Sequence, residues 1–158
     1  MFRKKADFLE EWTREKQLTL QVLESVTDEK LDQAIVEGHS SLGWLGWHLT
    51  TTIPFFASIA DVANVGKPSS TVPDDAKTIV NTYKEYSQNL LEQVEHTWTD
   101  DSFTDMVDFF GSESPKGAVL RMLVSHQGHH RGQMTVLLRQ AGLNVPGVYG
   151  PTIEQQSK

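Results

Sequence analysis

Residues 114–142 read SPKGAVLRMLVSHQGHHRGQMTVLLRQAG, and this stretch decides the fold. Ser114 reads as an N-cap and Pro115 as the first helical residue, where the N–H that proline lacks would have no partner anyway. Gly142 supplies the stop. At about 100° per residue, Val119, Met122, Leu123, His130, Gln133, Met134 and Leu137 all fall within about 80° of His126. His126 and His130 are one turn apart, so this pattern places both in the middle of an apolar face with rings able to converge. His129 lies about 100° from His130. Arg131 falls toward a flank, a position that suits a salt bridge better than contact with an anionic substrate. Gly128 and Gly132 share the outer face. Each costs about 1 kcal/mol inside a helix, so the pair suggests close approach by another chain segment or a second subunit.

Three more amphipathic stretches precede this one. In residues 2–26, Phe8, Trp12, Thr19, Val22, Leu23 and Val26 share a face, with Glu10, Glu11 and Arg14 opposite. Thr27-Asp28-Glu29-Lys30 breaks the pattern and opens a short helical turn through Ile35, followed by a loop at Gly38, His39 and Ser40. In residues 41–63, Trp44, Leu45, His48, Thr52, Phe55, Phe56, Ile59 and Ala63 share a face, and Pro54 should kink the helix or end its first half. In residues 73–96, Ala76, Ile79, Val80, Tyr83, Leu90, Leu91 and Val94 line up, with Pro73 or Asp74 near the first turn. Residues 98–113 carry no clear period and read as a loop with a short extended piece around 103–110. The tail from Leu143 holds two prolines and two glycines and reads as irregular. Four amphipathic helices joined by modest loops predict an all-α four-helix bundle, one domain over residues 1–158.

Composition narrows the function. The chain carries 14 basic and 21 acidic side chains, a net charge of −7, with no basic stripe, so no nucleic-acid partner is expected. With no cysteine, disulfides, Cys-type zinc sites and a thiol nucleophile of its own are excluded. No apolar run approaches ~18 residues, so no membrane span is expected. The opening MFRKKADFLEEW turns acidic too early for a secretory signal. The expected location is the cytoplasm.

Of six histidines, His39 and His96 sit in or beside loops and receive no role. His48 shares its stripe with Trp44, Thr52, Phe55 and Ile59. With His126 and His130, it makes three imidazoles on inward faces. A buried imidazole without partners costs about 1–3 kcal/mol. A lone core histidine is ordinarily just hydrogen-bonded, and a lone HxxxH pair is more often structural than ligating. The two features together point to a divalent metal, since neutral imidazole is the commonest metal ligand.

The run His126-Gln127-Gly128-His129-His130-Arg131-Gly132-Gln133 resembles the HxxxHRGQ signature of the DinB/YfiT-like metalloprotein family. Leu45-Gly46-Trp47-His48-Leu49 looks like that family's first ligand, and Val145-Pro146-Gly147-Val148-Tyr149-Gly150-Pro151 is similar to its C-terminus. The resemblance spans nearly the whole chain. It implies an up-down-down-up four-helix bundle holding zinc, nickel or a similar ion on His48, His126 and His130. It also implies a homodimer, and an activity like that of thiol-dependent transferases and isomerases that use bacillithiol, mycothiol or glutathione. The family name refers to induction after DNA damage, a stress response, and not to DNA binding.

Three neutral ligands leave at least one metal position open, as in catalytic rather than structural sites. Such a centre keeps a charge of about +2 and lowers the pKa of a bound thiol or water. The expected function is therefore metal binding, with thiol S-transfer to a small-molecule substrate. A metal-dependent hydrolase would use the same geometry, with His129 the nearest general base by sequence. A non-catalytic, stress-induced bundle that binds metal or a ligand belongs to a third class. Gln133 is placed to hydrogen-bond a ligand or bound water. No catalytic residue is assigned.

Overall fold

The computed structural model describes residues 1–156. Its helices are α1 (Lys5–Leu23), α2 (Leu42–Ile59), α3 (Ala76–Thr97), α4 (Lys116–Gln140) and a terminal turn, α5 (Ile153–Gln156). Short 3-10 turns stand at Asp28–Lys30 and Asp101–Thr104, and a hairpin of β1 (Met106–Phe109) and β2 (Ser112–Pro115) precedes α4. Both α1 and α2 pack against α3 and α4, which makes a four-helix bundle. Phe8, Trp12, Leu49, Ile53, Tyr83, Leu90, Leu120 and Leu138 meet at its centre, none measurably exposed. Each such side chain contributes about 1.5–3 kcal/mol by leaving water. Among the described residues, no helix is long and apolar enough to cross a membrane.

Capping sets where the helices begin. The Ser41 hydroxyl accepts from the Trp44 N–H at 3.2 Å, so α2 starts one residue later. The first turn of α3 begins at Ala76, beyond Pro73 and Asp74; Asp75 caps it by accepting from the Thr78 N–H at 2.7 Å, while Asp28 accepts from the Ala76 N–H at 2.8 Å. Pro54 stands inside α2 without ending it. The hydroxyls of Thr50 and Thr51 bond back to the Gly46 and Trp47 carbonyls at 2.9 and 3.0 Å within the same turns.

The fourth helix starts differently from the sequence expectation. Ser114 is not its cap. It belongs to β2 and pairs with Val107, and Pro115 is the non-helical residue before Lys116. The cause is the hairpin, which the sequence pattern showed only as an extended piece. Phe109 pairs with Ser112 across a two-residue turn in which Phe110 (φ 54°) and Gly111 (φ 82°) are both left-handed. Two positive φ values in succession define the type I′ turn, whose twist matches the flanking strands. Just beyond, Gly117 admits the N-terminal segment. The Phe2 N–H donates to the Gly117 carbonyl at 3.1 Å, and a Cβ at 117 would overlap the Phe2 carbonyl oxygen. Phe2 is thus buried although it lies before α1.

Candidate metal centre and its cleft

Helices α2 and α4 bring His48, His126 and His130 together, with one ligand nitrogen from each inside a span of 4.8 Å. The His126 Nε2 lies 3.2 Å from the His48 Nε2 and 3.1 Å from the His130 Nε2. One ring nitrogen can donate a proton or accept one in its plane, and it cannot satisfy two neighbours at once. Three nitrogens converging on one small volume therefore fit a cation better than they fit one another. Gln133 supplies an orienting contact. Its Oε1 lies 2.7 Å from the His130 Nδ1, which must donate to it and so leaves the Nε2 lone pair bare. Trp44 stacks on His48, with ring centroids 4.7 Å apart and 12° between planes, and fixes that ring. The donor set fits a divalent ion, and the triad could hold one.

The ligands do not lie in the middle of the buried faces. On α4 that middle runs through Leu120, Leu123, Gln127, Met134 and Leu138, while His126 and His130 are half-buried and Met122 and Gln133 are exposed. On α2 it runs through Leu42, Leu45, Leu49, Ile53 and Phe56, with His48 half-buried and Trp44 and Phe55 exposed. The histidine stripe is the edge of each buried face, turned toward a cleft. Periodicity misplaced it because Met122, Trp44 and Phe55, all apolar, line that cleft or its rim instead of the core. Arg131 is likewise not on a flank. It is 1 % exposed, at the centre of a polar network.

That network was invisible to the apolar pattern. Arg131 donates to the Glu15 carboxylate at 2.6 Å, to the Glu15 carbonyl at 3.1 Å and to the Thr19 hydroxyl at 2.9 Å. Tyr149, from the tail, donates to the same carboxylate at 2.6 Å. Burial alone would raise the Glu15 carboxyl, but the Tyr149 and Arg131 hydrogen bonds hold it below the usual range. Thr19 and Tyr83 donate to the Gln127 Oε1 at 3.3 and 3.1 Å, and Gln127 donates to the Leu49 carbonyl at 2.8 Å. The residues after His126 and after His48 are thus bonded to each other across the α2–α4 interface. The sequence predicts a salt bridge at Arg131, and the structure supplies it with Glu15, but in the interior and not on a flank. The glycine pair is not explained by close approach within the chain: a Cβ at Gly128 would make an ordinary 3.5 Å contact with the Tyr149 hydroxyl, and one at Gly132 would meet nothing within 4 Å among the described residues.

His129 is exposed and its ring centroid is 4.8 Å from that of His130, on the solvent side of the triad. Burial pushes His126 down to about 4, helped by the neighbouring rings of His130, His48 and His129. Burial also lowers His48 and His130; His130 lowers His48 further, and the Gln133 bond resists the shift at His130. In the unfolded chain an imidazole protonates near about 6.5. Between that value and the folded value the unfolded state binds the extra proton, so stability falls as pH falls through this window. Metal-free protein should therefore melt at progressively lower temperature from pH 7 to pH 4.5. His126→Asn should flatten part of that slope, and a melting temperature that held constant or rose on acidification would contradict the burial of neutral rings.

An apolar cleft of about 790 Å³ opens on the triad, walled by α2, α4, the hairpin and residues 68–70, with His48 and His126 in its lining. Comparison with known proteins agrees with this architecture. The model of the DinB family matches residues 1–158. The chain is 38 % identical over 159 residues to the uncharacterized protein YrdA of Bacillus subtilis strain 168, covering 100 % of this chain and 95 % of that one. A crystal structure of a DinB-like protein from Bacillus cereus ATCC 10987 superposes with a TM-score of 0.91 at 43 % identity, covering 94 % of this chain and 100 % of that one. The DinB-like protein YjoA of Bacillus subtilis, at 18 % identity and a TM-score of 0.69, covers 94 % of this chain and 99 % of that one and shares the fold. Bundle, triad and whole-length match agree, and the chain belongs to the DinB family.

Proposed function

We propose that the protein is a divalent-metal-dependent S-transferase that uses a low-molecular-weight thiol such as bacillithiol, with zinc or nickel held by His48, His126 and His130. The observation that carries this reading is the cleft, which is lined by two of the three histidines and leaves room for an exogenous group beside them. When bound, a divalent ion supplies Lewis acidity and lowers the pKa of a coordinated thiol from its free value of ~8.5. The chain's own part is to hold and orient. Gln133 fixes the His130 tautomer, Trp44 the His48 ring, and the Gln127 bond to the Leu49 carbonyl sets the spacing of α2 against α4. Phe55 and Phe56 line the cleft and exclude water from the reacting pair. The thiol gives up its proton to solvent, its sulfur forms the new C–S bond, and the acceptor's leaving group departs with the electron pair of the broken bond. Among the described residues no carboxylate lines the cleft, which favours thiol transfer over hydrolysis by a general base.

The test is conjugation of bacillithiol, glutathione or mycothiol to a panel of electrophiles by metal-loaded protein. The rate should be lost on chelation and in His48→Ala, and should persist in His129→Ala. If His129→Ala loses the rate with its metal content unchanged, His129 is a base and hydrolysis gains ground. No thiol-dependent rate above background with any of the three would assign the centre to binding without turnover.

A further inference from the structure

The cleft's wall chemistry points to the acceptor. Among the described residues, no Lys, Arg, Asp or Glu lines it. The Thr51 and Thr52 hydroxyls spend their protons on the Trp47 and Leu49 carbonyls at 3.0 and 3.2 Å, so toward a ligand they can only accept. The Ser69 carbonyl is taken by the Trp47 indole N–H at 3.0 Å, which ties the 68–70 segment to α2. In the metal-free cleft a carboxylate or phosphate would find no side-chain cation among the described residues, and only the Ser69 and Ser70 hydroxyls and the two imidazoles as donors. Beside Pro68 and Met122, four phenylalanines supply most of the apolar wall: by ring centroids Phe56 stands 6.2 Å from Phe109, Phe109 is 4.8 Å from Phe110, and Phe110 is 6.2 Å from Phe55. A cleft of about 790 Å³ lies within the range of roughly 300–1,000 Å³ typical of small-molecule sites.

Phe110 is the unusual member. It is 76 % exposed, and it holds a left-handed φ of 54° at the first central position of the hairpin turn. A bulky aromatic rarely adopts that conformation, and Asn before Gly111 would be the relaxed choice for this turn. Local sterics and burial both argue against a phenylalanine here. What the residue gains is a place on the cleft wall against Phe55 and Phe109. Strain of this kind gathers at sites where a side chain must be presented to a ligand.

We propose that the cleft takes an uncharged, flat aromatic acceptor, and that Phe110 is the residue that selects it. This rests on the transferase reading for the word acceptor, but the binding claim can be tested without metal. Chelator-treated full-length protein is titrated with 2-naphthol, which is neutral at pH 7, and with 2-naphthoate, which is not. The neutral probe should bind at least tenfold more tightly. Phe110→Asn should weaken 2-naphthol about five- to tenfold, the loss of one aromatic contact. It should also raise the melting temperature by roughly 1–4 °C, because the turn relaxes. Phe110→Tyr should keep both properties of the parent. Equal affinity for the two probes, unchanged 2-naphthol affinity in Phe110→Asn, or a lowered melting temperature in that variant would overturn the assignment. If the probes behave as expected but no ion loads on the triad, the metal reading fails and this one stands. If the ion loads and the neutral probe is not preferred, the reverse holds.

Discussion

His126→Ala is expected to lose its divalent ion, with affinity reduced well beyond tenfold. His126 is the shared member of the triad, since its Nε2 faces both other Nε2 atoms at 3.1–3.2 Å, and the His48 and His130 nitrogens are brought together through it. Loss of an outer partner that only orients a ligand typically costs 10–100-fold in metal affinity. Removing a ligand outright should exceed that, and Gln133→Ala, which leaves His130 in place but unoriented, should fall inside that range. The measurement is metal content after loading with zinc or nickel and desalting, on protein purified without a histidine tag. His39→Ala and His96→Ala should retain the full content. Full stoichiometry in His126→Ala would remove the triad from consideration.

Glu15→Ala is expected to destabilise the fold by about 3–5 kcal/mol, because it leaves the Arg131 guanidinium buried without its counter-charge. In a chain of this length that corresponds to a melting temperature lower by roughly 6–20 °C. Arg131→Met should be comparably costly, since Glu15 would then keep only Tyr149 and the exposed Arg14 as partners. The double replacement Glu15→Leu with Arg131→Met should recover a large part of the loss, because neither charge then has to leave water. Equal melting temperatures for the parent and both single variants would show that the pair is exposed in solution. Arg131 does not touch the triad, so metal content per folded chain should stay at the parent level in Arg131→Met. That readout separates a role in the fold from a role at the metal.

Four helices and the three histidines that converge were legible because each rests on a local signal. Phe8, Trp12, Thr19 and Leu23 repeat at helical spacing, Ser41 precedes an apolar run, and His126 and His130 stand one turn apart. What was misjudged depends on partners far along the chain. Angular position on α4 counts Met122 as core, although it faces the cleft, and leaves out Arg131, whose burial needs Glu15 from α1. Ser114 carries the chemistry of an N-cap and is used as a strand residue, because Val107 pairs with it. The turn itself went unseen for a physical reason. A type I′ hairpin is announced by Asn-Gly or Asp-Gly, and here a phenylalanine occupies the first place. Local rules failed at the hairpin, and the hairpin lines the cleft.

The triad joins points far apart on the thread. His48 and His126 are separated by 78 residues, more than half of α2 and α3 with their connections lying between them. Neither an isolated α2 nor an isolated α4 offers the full donor set, so an ion coordinated there closes a long loop much as a crosslink would. In a chain with no cysteine, that coordination is a reversible rivet. It is set only after the helices have docked, and it is withdrawn by acid or by any competitor for the ion. The working lifetime of the folded protein would then rise and fall with metal supply, even at constant synthesis.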